Sequence, residues 1–130
     1  RNLAILTKDV IEMRAKMREQ LNKSTVDLFD LKQGKGGITD IEFMVQYATL
    51  AWSSEHPGLL IYTDTIRMLE ALIESGKLSV HESSMLANAY RFYRKLANHC
   101  ILQENPTVVP IEEVAEYRTQ VMGIWLRWFE

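Results

Sequence analysis

The sequence predicts an all-α domain, a bundle of about five helices with a glycine-rich loop ahead of the central one. Three observations carry that reading. Apolar residues recur at spacings of three and four along most of the chain. Ser, Thr or Asp stands where several periodic runs begin, twice with Glu three residues later. Gly34, Gly36, Gly37, Gly58, Gly76, Pro57 and Pro106 fall between the runs rather than inside them.

The first run is Leu3, Leu6, Val10, Met13, Met17 and Leu21, one apolar stripe with Lys8, Arg14, Lys16 and Arg18 off it. It predicts a helix over 3–22 whose methionines fill the core. From Ser24 to Gly37 the period breaks. Val26, Leu28, Phe29 and Leu31 give a short extended piece, and Gly34, Gly36 and Gly37 give backbone freedom. Thr39-Asp40-Ile41-Glu42 then reads as a capping box opening a helix over 39–53. In it the Thr39 hydroxyl takes the Glu42 amide and the Glu42 carboxylate reaches back to the Thr39 amide. Beyond Glu42 only Gln46, Thr49 and Ser53 are polar, a line one residue wide, so this helix belongs at the buried centre, with Phe43 and Trp52 mostly buried.

Ser54 to Gly58 is a loop by its Pro-Gly chemistry. Thr63 or Asp64 caps a third helix, 64–75, that stops at Gly76. Ser79-Val80-His81-Glu82 is a second capping box, opening a helix over 80–103 that Asn105-Pro106 breaks. Pro110 suits the first turn of a last helix, 110–128.

At 130 residues, 47% hydrophobic and 25% charged, the chain forms a single domain, 1–130, that needs no staple. The lone Cys100 fits a reducing compartment. No run approaches the ~18 apolar residues of a membrane span, and no signal peptide opens the chain. The first residue is Arg1 rather than Met, so a fragment of a longer protein is expected. A net charge of −2 argues against nucleic acid as a partner. Residues 1–35 hold eight Lys/Arg against five Asp/Glu, and the rest hold seven against twelve. The basic front reads as ordinary solvated helix faces, with an anionic ligand as the alternative.

A glycine turn feeding a helix N-terminus, with Lys32 and Lys35 beside it, has the parts of an anion site. The order fits neither the P-loop nor G-x-G-x-x-G. A structural turn and a phosphate contact therefore both stay open. Asp40 and Glu42 sit about 200° apart on a helix and cannot clasp one metal ion. His56, His81 and His99 are scattered, and no nucleophile–base grouping is readable. No catalytic residue and no metal site is assigned to this chain.

Lys32, the unbroken Gly36-Gly37-Ile38-Thr39-Asp40-Ile41-Glu42-Phe43, and Gln46 resemble the K-x3-GGI-x-DIEF-x2-Q signature of the glutamine synthetase adenylyltransferase family. Ala89-Tyr90, Arg94, His99 and Gln103 resemble that family's later AY…LR…H…Q pattern. The resemblance covers the chain from about Asp30 to its end. It implies the helical domain that follows a nucleotidyltransferase domain in a bacterial, cytoplasmic enzyme. That enzyme adds AMP to, and removes it from, a tyrosine of glutamine synthetase. Thr39, where first-half motifs tend to carry Arg, and an ending at Trp125–Glu130 that looks like a natural terminus point to the second half. The resemblance implies ATP and Mg²⁺ in the parent, held by a G-S…D-x-D element absent here, so neither is expected on this chain alone. It places Lys32, Gly36, Gly37, Asp40, Glu42 and Gln46 along the nucleotide cleft. Glutamine synthetase, the PII signal protein and the upstream nucleotidyltransferase domain are the implied partners. The helical domain of a PII uridylyltransferase and a non-catalytic interaction module are the alternatives.

Overall fold

The element order follows from where the apolar runs can be buried. The computed structural model describes residues 3–52, 64–76 and 78–130. Among them lie helices α1 (Leu3–Leu21), α2 (Ile38–Trp52), α3 (Thr65–Glu74), α4 (Val80–Leu102) and α5 (Ala115–Phe129). Two three-residue strands, β1 (Leu28–Asp30) and β2 (Val108–Pro110), accompany them. The all-α bundle expected from the sequence is the fold. Helix α2 is its hub, packing against α1, α3, α4 and α5. Ile41, Met44, Val45 and Ala48 are sealed inside it, as its nearly all-round apolar sequence requires. On α2 the exposed positions are Gln46 and Leu50, so the polar line is joined by one apolar residue; Phe43 is half-buried. The Trp52 side chain, Ser53 and the expected loop over 54–58 lie outside the described residues.

The helix ends obey local chemistry. The Asp64 carboxylate accepts the Ile66 and Arg67 amides at 2.9 and 3.1 Å and so caps α3; Gly76, at φ +77°, ends it. The Ser79 hydroxyl accepts the Glu82 amide at 3.0 Å, half of the expected box. The Glu82 side chain pairs with Arg127 of α5 rather than returning to the Ser79 amide. Helix α4 stops at Leu102. There the Glu104 amide meets the Ile101 carbonyl and the Asn105 amide meets the Cys100 carbonyl, with Glu104 itself at φ +59°. This is a Schellman motif that closes the helix before Pro106 is reached.

Three expectations are corrected. Pro110 does not open the last helix. Residues 108–110 pair antiparallel with β1, Leu28 opposite Pro110 and Asp30 opposite Val108. A short 3₁₀ turn, Ile111–Glu113, follows, and α5 starts at Ala115. A distant ladder thus overrides the local Pro signal. Second, the stripe on α1 is displaced. Met13 is 58% exposed, whereas Arg14 is 0% exposed. The inward set is Leu6, Val10 and Arg14, with Met17 partly covered. Third, α2 begins at Ile38, not Thr39, and the Thr39–Glu42 box does not form. The Thr39 amide donates to the Lys32 carbonyl at 3.1 Å, while the Ile41 amide reaches the Gly37 carbonyl. Among the described residues no helix is long and apolar enough to cross a membrane.

Candidate functional site

Asp30 organises the approach to α2. Its carboxylate is buried and accepts three backbone amides: Lys23 at 3.0 Å, Lys32 at 2.9 Å and Gln33 at 3.0 Å. The Ser24 hydroxyl takes its amide, and its carbonyl takes the Gly34 amide. An Asp that bonds amides two and three positions ahead turns the chain sharply. The turn puts Gly34, Gly36 and Gly37 inside the protein.

The glycines are needed there because other parts of the chain crowd them. A Cβ on Gly37 would lie 2.7 Å from the Leu31 carbonyl oxygen, and one on Gly34 would lie 2.5 Å from the Phe29 ring. Gly36 has φ +85°, and a Cβ on it would lie 2.9 Å from the Arg118 carbonyl oxygen of α5. The amides of this loop are likewise engaged. Gly36 donates to the Asp40 carboxylate at 2.7 Å, Gly37 to the Gly34 carbonyl, and Ile38 to the Leu31 carbonyl.

Asp40, the third residue of α2, therefore supplies the anion that the helix start attracts. It also pairs with two arginines from α1. Arg14 Nε sits 2.5 Å and Arg18 Nη2 3.1 Å from Asp40 Oδ1. Arg14 is further held by the Gln33 side chain at 2.9 Å and the Gln33 carbonyl at 2.8 Å, and it lies over the Phe43 ring. Burial lowers the Arg14 guanidinium below its ordinary value, and the Asp40 charge beside it opposes that fall.

Glu42 is directed elsewhere. Its carboxylate accepts the Tyr90 hydroxyl of α4 at 3.3 Å. Burial raises the Tyr90 phenol above its ordinary value, and the nearby Glu42 charge adds to the rise. Gln46 is exposed one turn further along the same face of α2. Arg94, one turn after Tyr90 on α4, is exposed beside them. Lys32 is exposed ahead of α2, its carbonyl on the Thr39 amide.

The six sequence-selected residues thus fall into two groups. Gly36, Gly37 and Asp40 form a buried corner; Lys32, Glu42 and Gln46 are accessible or half-buried on the α2 surface. Asp40 and Glu42 are aimed at different partners, and among the described residues no three His, Cys, Asp or Glu side chains gather as metal ligands. The residues present do not fit Mg²⁺, because both Asp40 oxygens already take cationic or amide donors. Two residues that organise the corner, Arg14 and Asp30, escaped sequence reasoning. For Arg14 a signal existed. Stepping three and four through positions 3, 7, 10, 14, 17 and 21 lands on it, although hydrophobicity favours Met13.

A family model described as GlnD PII-uridylyltransferase matches residues 9–107. Three curated relatives carry the name bifunctional glutamine synthetase adenylyltransferase/adenylyl-removing enzyme. That of Nitrosococcus oceani is 49% identical over 92% of this chain and 12% of its own length. Those of Pseudomonas syringae pv. tomato and Pseudomonas aeruginosa are 47% and 44% identical, each over 96% of this chain and 14% of their length. The chain therefore spans only about an eighth of the curated relatives it matches.

Proposed function

This chain belongs to the family described as GlnD PII-uridylyltransferase, with relatives that are glutamine synthetase adenylyltransferases, and on that premise we propose that it is the helical domain of such an adenylyltransferase. In this reading the parent is a bacterial cytoplasmic enzyme that adds AMP to, and removes it from, a tyrosine of glutamine synthetase, under control by the PII signal protein. ATP and Mg²⁺ are held by an upstream nucleotidyltransferase domain. The present chain forms one wall of the transferase cleft and lies in the second, AMP-adding half.

One observation supports the placement of the cleft. Gln46 lies one turn beyond Glu42 on α2, the Glu42 carboxylate meets Tyr90 of α4 with Arg94 one turn further on, and exposed Lys32 precedes the helix with its carbonyl on the Thr39 amide. The glycine loop contributes shape, since its amides already have internal acceptors. A nucleotide at this wall meets side chains, with Lys32 and Arg94 supplying positive charge to its phosphates.

The test compares the full-length protein containing this chain with the chain alone, each incubated with glutamine synthetase, labelled ATP and Mg²⁺. The full-length protein is expected to label glutamine synthetase and the chain alone to label nothing. Transfer by the isolated 130 residues would place the catalytic centre here and overturn the reading. A full-length protein that instead transfers UMP to PII favours the second reading, to which the description of the matching family model lends support.

A further inference from the structure

On another side of the corner, α1, the glycine loop and α5 enclose a pocket of about 240 Å³. Its walls include Arg18, Lys35, Asp40, Met122 and Trp125, and Arg14 closes it. The donors and acceptors here do not balance. Asp40 Oδ1 is filled by Arg14 Nε and Arg18 Nη2, and Oδ2 by the Gly36 amide. Arg14 is satisfied further by Gln33. Arg18 Nε, by contrast, is buried without a partner. An unpaired buried donor on a charged group is costly, and the cost is removed when the guanidinium turns its Nε to an arriving anion. Three cations line the pocket against two carboxylates, Asp40 and Glu130. Three against two leaves one positive charge in excess. The rest of the wall is apolar, formed by Ile11, Ala15, Met122, Trp125 and Leu126. A few convergent polar groups on an apolar wall is the usual composition of a small-molecule site. The volume lies below the ~300 Å³ at which pockets begin to enclose drug-sized ligands, so a nucleotide does not fit inside it.

We propose that this pocket binds a small organic phosphate monoester, its phosphate on the Arg18 guanidinium and the Lys35 ammonium and its apolar body against Trp125 and Met122. A tetrahedral phosphate accepts from several separate donors at once, which suits a guanidinium from α1 and an ammonium from the loop. The inference does not depend on the transferase reading, since it concerns binding by this chain itself.

The experiment is isothermal titration of the chain with phenyl phosphate and with inorganic phosphate, at ionic strength matched with sodium chloride. Phenyl phosphate is expected to bind saturably, in the millimolar range or tighter. Inorganic phosphate, lacking the apolar body, is expected to bind about tenfold more weakly. Arg18→Gln and Lys35→Gln should each weaken phenyl phosphate by about tenfold or more. Lys16→Gln, exposed on α1 outside the pocket, should change nothing. Lys35 is also exposed, so its substitution reports on binding even if loss of Arg18 from the Asp40 pair disturbs folding. Absence of saturable binding, equal affinity for the two phosphates, or an unchanged affinity in Lys35→Gln would each overturn the proposal.

Discussion

The first turn of α2 and the turns that follow it carry the same kinds of residue and use them in opposite ways. In the first turn, Asp40 and the glycines before it are buried, and their donors and acceptors meet other parts of the same chain. One turn on, Glu42 reaches only the Tyr90 hydroxyl at 3.3 Å, and Gln46 lies open to solvent. A carboxylate in a glycine-rich motif is therefore not functional by virtue of its type. What separates Asp40 from Glu42 is direction: positions 40 and 42 point about 200° apart, so one faces the arginines of α1 and the other faces outward between α2 and α4. The motif couples an internal clamp to an external surface through two residues of helix.

The clamp is where substitution should hurt most. Asp40→Ala leaves Arg14 buried without its carboxylate, and breaking one partner of a buried pair costs about 3–5 kcal/mol. Urea unfolding of the chain should show that loss as a lowered midpoint at unchanged slope. A loss below about 1 kcal/mol, the size of a surface pair, would mean that solvent reaches Arg14 and that the two turns do not differ as described.

Next in size is the glycine loop. Gly37→Ala places a methyl group 2.7 Å from the Leu31 carbonyl oxygen, and forced overpacking of this kind costs about 1–3 kcal/mol. Gly123 is its counterpart in α5, where an added Cβ meets nothing within 4 Å. Gly123→Ala should stabilise by about 0.5–1 kcal/mol, the helix preference for Ala over Gly. Opposite signs in paired thermal melts are the expected result. The same sign at both positions would remove the packing argument for the loop.

These contrasts also show what the sequence could and could not reveal. The extent of α2 and its central place were readable because a nearly all-round apolar run has one stable environment. The stops at Gly76 and near Asn105 were readable because turn chemistry is local. Strand β2 was not, since three residues around Pro110 are held by partners some eighty positions away. The burial of Arg14 was also hidden: a charged side chain reads as solvated until its partner on another helix is known. The Thr39–Glu42 box was a correct pattern in the wrong register. Gly37 stands just before the helix and Asp40, not Glu42, is the third helical residue, so the reach back to a preceding amide is made by Asp40 to Gly36.

That shift in register sets the smallest stability effect and the finest test of the difference between the two turns. With Glu42 closing the helix start, Glu42→Gln would be silent in both stability and activity, because Gln makes the same cap. The observed bond is to Tyr90 instead, and a Gln side-chain oxygen accepts that hydroxyl equally well. Unfolding of the chain should therefore change by no more than about 0.5 kcal/mol. The negative charge, however, is lost beside Tyr90, with exposed Arg94 one turn further along α4 and exposed Lys32 just ahead of α2. If this surface lines the transferase cleft, the charge sets how those cations meet the nucleotide, and AMP transfer by the full-length protein should fall about a hundredfold, equivalent to about 2.7 kcal/mol of barrier. The measurement is paired: thermal unfolding of the chain and transfer by the full-length protein, both with Glu42→Gln. Stable folding with slowed transfer separates the outer turn from the clamp. Full activity would leave the Glu42 carboxylate with no role that a neutral amide cannot fill, and would move the cleft away from this face of α2.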